Sequence, residues 1–346
     1  MKINQITFSR FIIAILIVIY HYGLNIYPYN NSVTYFIVKN ANVGPSYFYL
    51  LSGFVMMIAY GNKSDLNFLN YIKNRFARIY PVYLLSLLLI VIHYLFSGQM
   101  HDYNGLFLNV FLVQSWIPGK AISFHAPGWS ISVEFFFYFL FPILLSKIYY
   151  KYEKKKILFV VILCWILSQI LFNYFLYSKY YQPEPSKIHD FFFYFPLMHL
   201  STFLIGNVLG LYFLKMGSDK FKNYDVSIVI ITLLILFFLK FPFGMNFHNG
   251  LLSFLFVPFI LLMSLNTGKI TDLFNKKVFV YLGEISFGLY ILQYPVILWT
   301  KSVLKHFNLH NDAVILTICI GVLLVASSIS YTFFETPLRN RLKKMF

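Results

Sequence analysis

The chain has 346 residues, of which 59% are hydrophobic and only 12% charged, whereas a soluble domain carries roughly one charged residue in four. That balance excludes a water-soluble fold and makes lipid the solvent. The formal net charge of +16 then reads as a membrane-orientation signal rather than as a nucleic-acid surface.

A membrane-spanning helix needs about 20 mostly apolar residues, and counting such windows along the chain gives ten, at 6–24, 43–60, 80–97, 129–148, 157–177, 191–214, 225–240, 248–265, 280–300 and 312–334. The first is retained rather than cleaved, because His21-Tyr22-Gly23-Leu24-Asn25-Ile26 offers no small-x-small cleavage site. Ahead of the third span, Asn67 to Arg78 mixes aromatic and basic residues, the pattern of an amphipathic helix lying at the headgroups, with Pro81 in the first turn of the span that follows. Between the third and fourth spans, 105–116 (GLFLNVFLVQSW) is apolar but too short to cross, which predicts an interfacial or re-entrant helix suited to roof a cavity. Cys164 and Cys319 both fall within apolar spans, where they act as small hydrophobes and offer neither a disulfide framework nor a metal site.

With the N terminus inside, Lys2, Arg10 and the loops near 63–78, 147–156, 215–222, 269–277 and 339–344 hold twenty-one of the 28 Lys and Arg residues. A miscounted helix would scramble this alternation. The expected fold is therefore all-α and polytopic, about ten transmembrane helices with both termini cytoplasmic. The chain carries no low-complexity linker and no internal repeat. It reads as a single membrane domain over 1–346 with no appended soluble domain.

Ionisable groups inside hydrocarbon cost a few kcal/mol or more, so each is a candidate site residue with a structural role as its rival. Arg10 and His21 lie eleven residues apart on one helix, which returns them to the same face about 16 Å apart. Arg10 suits a phosphate or carboxylate near the inner boundary, and His21 suits proton transfer at or beyond the midplane; the rival reading is a snorkelling arginine and a hydrogen-bonded core histidine. Glu134, in Trp129-Ser130-Ile131-Ser132-Val133-Glu134, reaches a depth like that of His21 and could orient its imidazole, or could be capped in a helix interface. Arg75 and Arg78 share a helix face, as a phosphate clamp or as positive-inside anchors. Glu284 and Glu335, near the inner ends of the last two spans, read as packing or capping groups; Pro337 predicts a helix break near Thr336. His125, ahead of Trp129, reads as a solvated loop histidine, and no His/Cys spacing supports a metal.

In this order the motifs Arg10-x10-His21, Phe48-Tyr49-Leu50-Leu51-Ser52-Gly53-Phe54, Arg75-x-x-Arg78-Ile79-x-Pro81, Trp129-Ser130-x-Ser132-x-Glu134, Leu282-Gly283-x-x-Ser286-Phe287-x-x-Tyr290 and Phe334-Glu335-x-Pro337 resemble acyltransferase family 3, the membrane O-acyltransferases of bacterial surface carbohydrates. The resemblance implies a ten-helix enzyme of the bacterial inner membrane that holds no bound cofactor. It would move an acyl group, most often acetyl, from cytoplasmic acyl-CoA (acetyl-CoA) to a hydroxyl of an extracytoplasmic or lipid-linked glycan such as capsule, O-antigen or other exopolysaccharide. It implies Arg10, Arg75 and Arg78 for acyl-CoA, His21 and Glu134 for catalysis, and Ser52, Trp129, Ser132, Tyr138, Ser286 and Tyr290 in support. Many relatives carry a histidine where this chain has Gln293, which cannot titrate. Two further readings stand beside this one: a transporter or flippase for a glycan or lipid-linked sugar, and a structural subunit of an export complex. Membrane lipid is a partner in all three, and nucleic acid in none.

Overall fold

A computed structural model of the chain describes residues 3–63 and 66–344, with side chains through Leu342. Lys2, counted above among the inner basic residues, lies outside them, as do the side chains of Lys343 and Lys344. The regular secondary structure of the described residues is helical, with one isolated parallel bridge, Lys222 to Asn266, and no named strand. In chain order the helices are α1 Asn4–Gly23, α2 Tyr35–Lys39, α3 Gly44–Tyr60, α4 Phe68–Ser97, α5 Tyr103–Val110, α6 Trp129–Leu144, α7 Lys154–Leu176, α8 Lys187–Tyr194, α9 Pro196–Phe213, α10 Asp225–Lys240, α11 Ser253–Leu265, α12 Lys269–Phe274, α13 Lys277–Lys305, α14 Asp312–Ile329 and α15 Thr336–Lys344.

All ten expected apolar windows are occupied by helix. Eight helical stretches are long and apolar enough to cross a membrane; α10, at 16 residues, and α11, at 13, are shorter. The protein is a multi-pass membrane protein. Its apolar surface fits that setting: α7 exposes Phe159, Ile162, Leu163, Ile166, Leu167 and Ile170 along its length, a face suited to hydrocarbon.

Two expectations are corrected. The segment 67–78 is no separate headgroup helix but the first part of α4, one element of 30 residues with Pro81 in its interior. Asn67 starts it by accepting from the Asn70 amide at 3.0 Å, and Gly98, at φ +67°, ends it in the left-handed conformation that glycine adopts most easily. The break expected near Thr336 takes another form: α14 gives way to a π-turn over Ser330–Glu335, and α15 begins at Thr336 with no loop between, which puts Pro337 at the second position of that helix, where its missing N–H is no loss.

Packing gathers the chain into two units. One comprises Met1–Arg10, Asn42–Leu66 and Val133–Gly283. Its tightest crossing joins α3 to α9. A Cβ on Gly206 would stand 2.0 Å from the Leu50 carbonyl oxygen, one on Gly53 would stand 2.3 Å from that of Phe203, and one on Gly210 would stand 2.5 Å from Met57 Cβ. The Gly206-x-x-x-Gly210 spacing thus brings two backbones together with no side chain between them, and Phe137 stacks on Phe203 with centroids 4.6 Å apart alongside. A buried polar knot closes the same unit: Asn249 donates to the Phe192 carbonyl at 2.7 Å, while its own carbonyl accepts from Gln169 at 2.9 Å and Thr202 at 3.3 Å.

The other unit comprises Phe11–Ala41, Asn67–Ser132 and Glu284–Phe346. Its distinctive part is the segment between α4 and α6. As expected, 105–116 does not span: α5 is 8 residues long and a short 3₁₀ turn covers Gln114–Trp116.

The crossing of α3 and α9 yields a prediction. Gly206→Leu forces the helices apart and should cost at least the 1–3 kcal/mol of an overpacked core, read as a fall in the thermal unfolding midpoint in detergent. Gly321→Ala, where an added Cβ meets nothing within 4 Å, should leave the midpoint unchanged or slightly higher.

Candidate active site

His21 stands in the last turn of α1. It keeps part of its surface exposed on a helix whose neighbouring positions are apolar. Its Nδ1 lies 2.8 Å from Gln293 Oε1, and Gln293, fully buried in α13, donates through Nε2 to the Tyr290 carbonyl at 2.6 Å. That second bond fixes the first. An amide nitrogen is required opposite the carbonyl, so the amide oxygen must face His21, and His21 must carry its proton on Nδ1. Nε2 is then the lone-pair nitrogen, the form a general base needs. Sequence reasoning set Gln293 aside because it cannot titrate; its contribution is to choose the tautomer of a residue that can.

Glu134 lies in the first part of α6, half-buried. Its Oε1 accepts from Tyr138 Oη at 2.7 Å, one helical turn on, and from Ser52 Oγ of α3 at 3.1 Å. Ser52 is held in place because its neighbour Gly53 permits the close approach of α9 described above. Two candidate supporting residues, Ser52 and Tyr138, thus converge on one candidate catalytic residue. A carboxylate that accepts two hydroxyl bonds on one oxygen keeps the other for a further donor.

Arg10, Arg75 and Arg78 are all half-buried. Arg10 follows Ser9, whose hydroxyl meets Tyr47 Oη at 2.6 Å. Arg75 lies over the Tyr71 ring at 5.9 Å, a partly buried arrangement that keeps a guanidinium extended on an aromatic face.

The remaining motif residues hold the segment between α4 and α6. Ser130 Oγ meets Tyr290 Oη at 2.8 Å, Ser132 donates to the Leu112 carbonyl at 2.6 Å, and the Trp129 carbonyl accepts from Ser115 at 2.8 Å. Gln114 donates to the Gly128 carbonyl at 2.8 Å, and Tyr83 donates to Asn109 at 2.9 Å. Trp129, Ser132 and Tyr290 are therefore anchors of this segment, and Ser286 is buried in α13. His125 corrects the sequence reading: it is fully buried, its ring stacked on Tyr83 and on Tyr294 with centroids 5.7 and 6.0 Å away. Burial pushes its imidazole down to about 3, so the ring stays neutral. Glu284 and Glu335 behave as packing groups, accepting from Tyr331 at 3.3 Å and Ser330 at 3.1 Å.

A family model described as an acyltransferase domain matches residues 3–333. The chain belongs to acyltransferase family 3. Among curated proteins it is 24% identical to the O-acetyltransferase OatA of Staphylococcus aureus (strain NCTC 8325 / PS 47) over 88% of this chain and 53% of that protein. It is likewise 24% identical to the putative peptidoglycan O-acetyltransferase YrhL of Bacillus subtilis (strain 168), over 92% of this chain and 54% of that protein. Acyltransferase MdmB of Streptomyces mycarofaciens is 36% identical over a shorter stretch, 30% of this chain and 28% of its own length. The chain thus spans about half the length of OatA and YrhL. No solved structure matches.

Within this acyltransferase family 3 chain the Gln293 bridge can be tested without an activity assay. In protein carrying nitrogen-labelled histidine, with the His21 signals identified by their loss in His21→Ala, the Nδ1–H tautomer should dominate. Gln293→Leu removes a bond of about 1 kcal/mol, so the tautomer ratio at His21 should move roughly fivefold towards Nε2–H.

Proposed function

We propose that this protein is a membrane O-acyltransferase that moves an acetyl group from cytoplasmic acetyl-CoA to a hydroxyl of a cell-surface carbohydrate across the bacterial inner membrane. The observation that carries the reading is the His21 imidazole with Nδ1 bonded to Gln293, in a chain that the acyltransferase family model covers almost end to end. A histidine held in one tautomer on an apolar helix has little structural purpose and a direct chemical one.

In this reading Nε2 of His21 takes the proton from the acceptor hydroxyl as its oxygen attacks the thioester carbonyl. The tetrahedral intermediate collapses with loss of the CoA thiolate, and the proton on His21 passes to that sulfur. The ester forms and the thioester breaks, with no oxidant or metal required. Glu134 is assigned to stabilise the charged stage of this cycle, with Ser52 and Tyr138 fixing its carboxylate. Arg10, Arg75 and Arg78 are assigned to the CoA phosphates, for which planar guanidinium forks are well suited. The rise of about 16 Å from Arg10 to His21 along α1 matches the need to separate a charged donor head from its reacting end.

The orientation proposed is N terminus and C terminus in the cytoplasm with ten spans, α10 and α11 included, on the strength of the alternating Lys and Arg distribution. The names of the relatives, O-acetyltransferase and putative peptidoglycan O-acetyltransferase, support a cell-surface glycan as acceptor; peptidoglycan therefore joins capsule and O-antigen as the glycans to test first.

Purified protein in detergent, given acetyl-CoA with and without glycan, should release CoA in a glycan-stimulated manner. His21→Ala and Glu134→Gln should lower that rate by about 10²-fold or more, at normal protein levels. Arg78→Ala should instead raise the KM for acetyl-CoA about tenfold, the loss expected for one charge-assisted phosphate contact. Near-normal turnover in His21→Ala would overturn the assignment.

A further inference from the structure

Between the last turn of α4 and the segment that follows it lies a cleft of about 310 Å³, near the lower end of the range for small-molecule sites, about 300–1,000 Å³. Its walls come from Tyr94 of α4, Phe124 and Tyr294, and its polar groups are Gln99, His101 and Asp102. None of these residues belongs to the motifs discussed above.

The aromatic walls are fixed rather than mobile. Tyr94 and Tyr294 join their hydroxyls at 2.7 Å, and the Tyr94 ring meets Phe124 edge-on with centroids 5.7 Å apart. Phe124 has φ +60°, a left-handed backbone that costs a bulky residue of order 1–3 kcal/mol. The buried His125 behind it stacks on Tyr294 from the protein side. Asp102 is equally fixed, because Oδ1 accepts from the Gly105 amide at 2.9 Å as the N-cap of α5, which leaves Oδ2 to accept from elsewhere.

Fixed aromatic faces beside a carboxylate, a carboxamide and an imidazole suit a ligand with C–H faces and many hydroxyls. Asp102 is the one formally charged residue lining the cleft, which disfavours an anionic ligand. Tyr294, a wall of the cleft, and Gln293, the partner of His21, occupy consecutive positions of α13.

We infer that this cleft is the acceptor subsite, and that it binds one unit of an uncharged saccharide with Tyr94, Phe124 and Tyr294 as its stacking walls and Gln99 and Asp102 as its hydroxyl partners. The inference rests on the acyltransferase reading for its meaning, but saccharide binding can be measured apart from turnover.

The test uses the full chain in detergent, with equilibrium binding of chitotetraose, cellotetraose and maltotetraose as uncharged probes and tetragalacturonate as the anionic one. At least one uncharged tetramer should bind, tetragalacturonate should bind at least tenfold more weakly, and Gln99→Ala and Asp102→Asn should each weaken the uncharged ligand about tenfold. Gln99 is exposed and Asn can replace Asp as an N-cap, so both variants should fold; an unchanged unfolding midpoint checks this. In acetyl transfer to that tetramer, both variants should raise the acceptor KM and leave the KM for acetyl-CoA unchanged. Binding of no uncharged tetramer, preference for tetragalacturonate, or full affinity in both variants would overturn the subsite. Saccharide binding that follows the variants in a protein that never releases CoA would instead overturn the acyltransferase reading and leave the cleft standing as a saccharide site.

Discussion

The bond from His21 Nδ1 to Gln293 is the constraint on which the proposed chemistry rests. In water an imidazole exchanges between tautomers freely; here the buried carboxamide, itself tied to the Tyr290 carbonyl, favours one. The energy involved is that of one ordinary hydrogen bond, about 1 kcal/mol, yet it decides which nitrogen is available as a base. A triad usually gives this task to a carboxylate, which also stabilises the imidazolium. A neutral amide selects the tautomer and offers only its dipole to the charged form.

The polar side chains spanning this apolar protein divide by what they touch. Ser115, Ser130, Ser132, Asn109 and Gln114 bond chiefly to backbone carbonyls or to buried tyrosines, and so satisfy the irregular chain between α4 and α6. Such backbone can lie at membrane depth only if its polar groups are met within the protein. Conspicuous serines in a motif can therefore be the supports of a loop rather than the agents of a reaction. Leu112 and Phe124 keep left-handed backbones in one short segment: the Leu112 carbonyl accepts from Ser132, and the Phe124 ring packs on Tyr94.

Much of this was legible in the residues. Runs of Leu, Ile, Phe and Val long enough to cross hydrocarbon located the helices, and the cost of burying charge singled out His21, Glu134 and the arginines. The convergence of Ser52 and Tyr138 on Glu134 was half visible, since Tyr138 lies one helical turn from Glu134. Ser52 comes from a distant part of the sequence, and only the glycine crossing of α3 and α9 brings it in. Three features were hidden for separate physical reasons. A search for titratable groups passes over an amide, so Gln293 was missed. Hydropathy averages over a window and cannot tell a basic surface helix from the first turns of a longer one, so α4 was cut in two. His125 sits among polar and small residues in a segment too short to span, and its burial depends on Tyr83 and Tyr294, which lie far from it in the chain.

The unbroken course of α4 has one more consequence. It carries Arg75 and Arg78 near its start and Tyr94 near its end, so sixteen residues of continuous helix, about 24 Å, separate Arg78 from Tyr94. A helix keeps phase as well as distance. Inserting or deleting a single residue between them would turn Tyr94 by about 100° and slide it by about 1.5 Å relative to the arginines, swinging it away from Tyr294. Loops absorb such changes, and a helix without an irregular turn cannot. This stretch should therefore hold its length through evolutionary drift in which individual apolar side chains are freely exchanged, whereas the loop from α1 to α2 is free to grow or shrink.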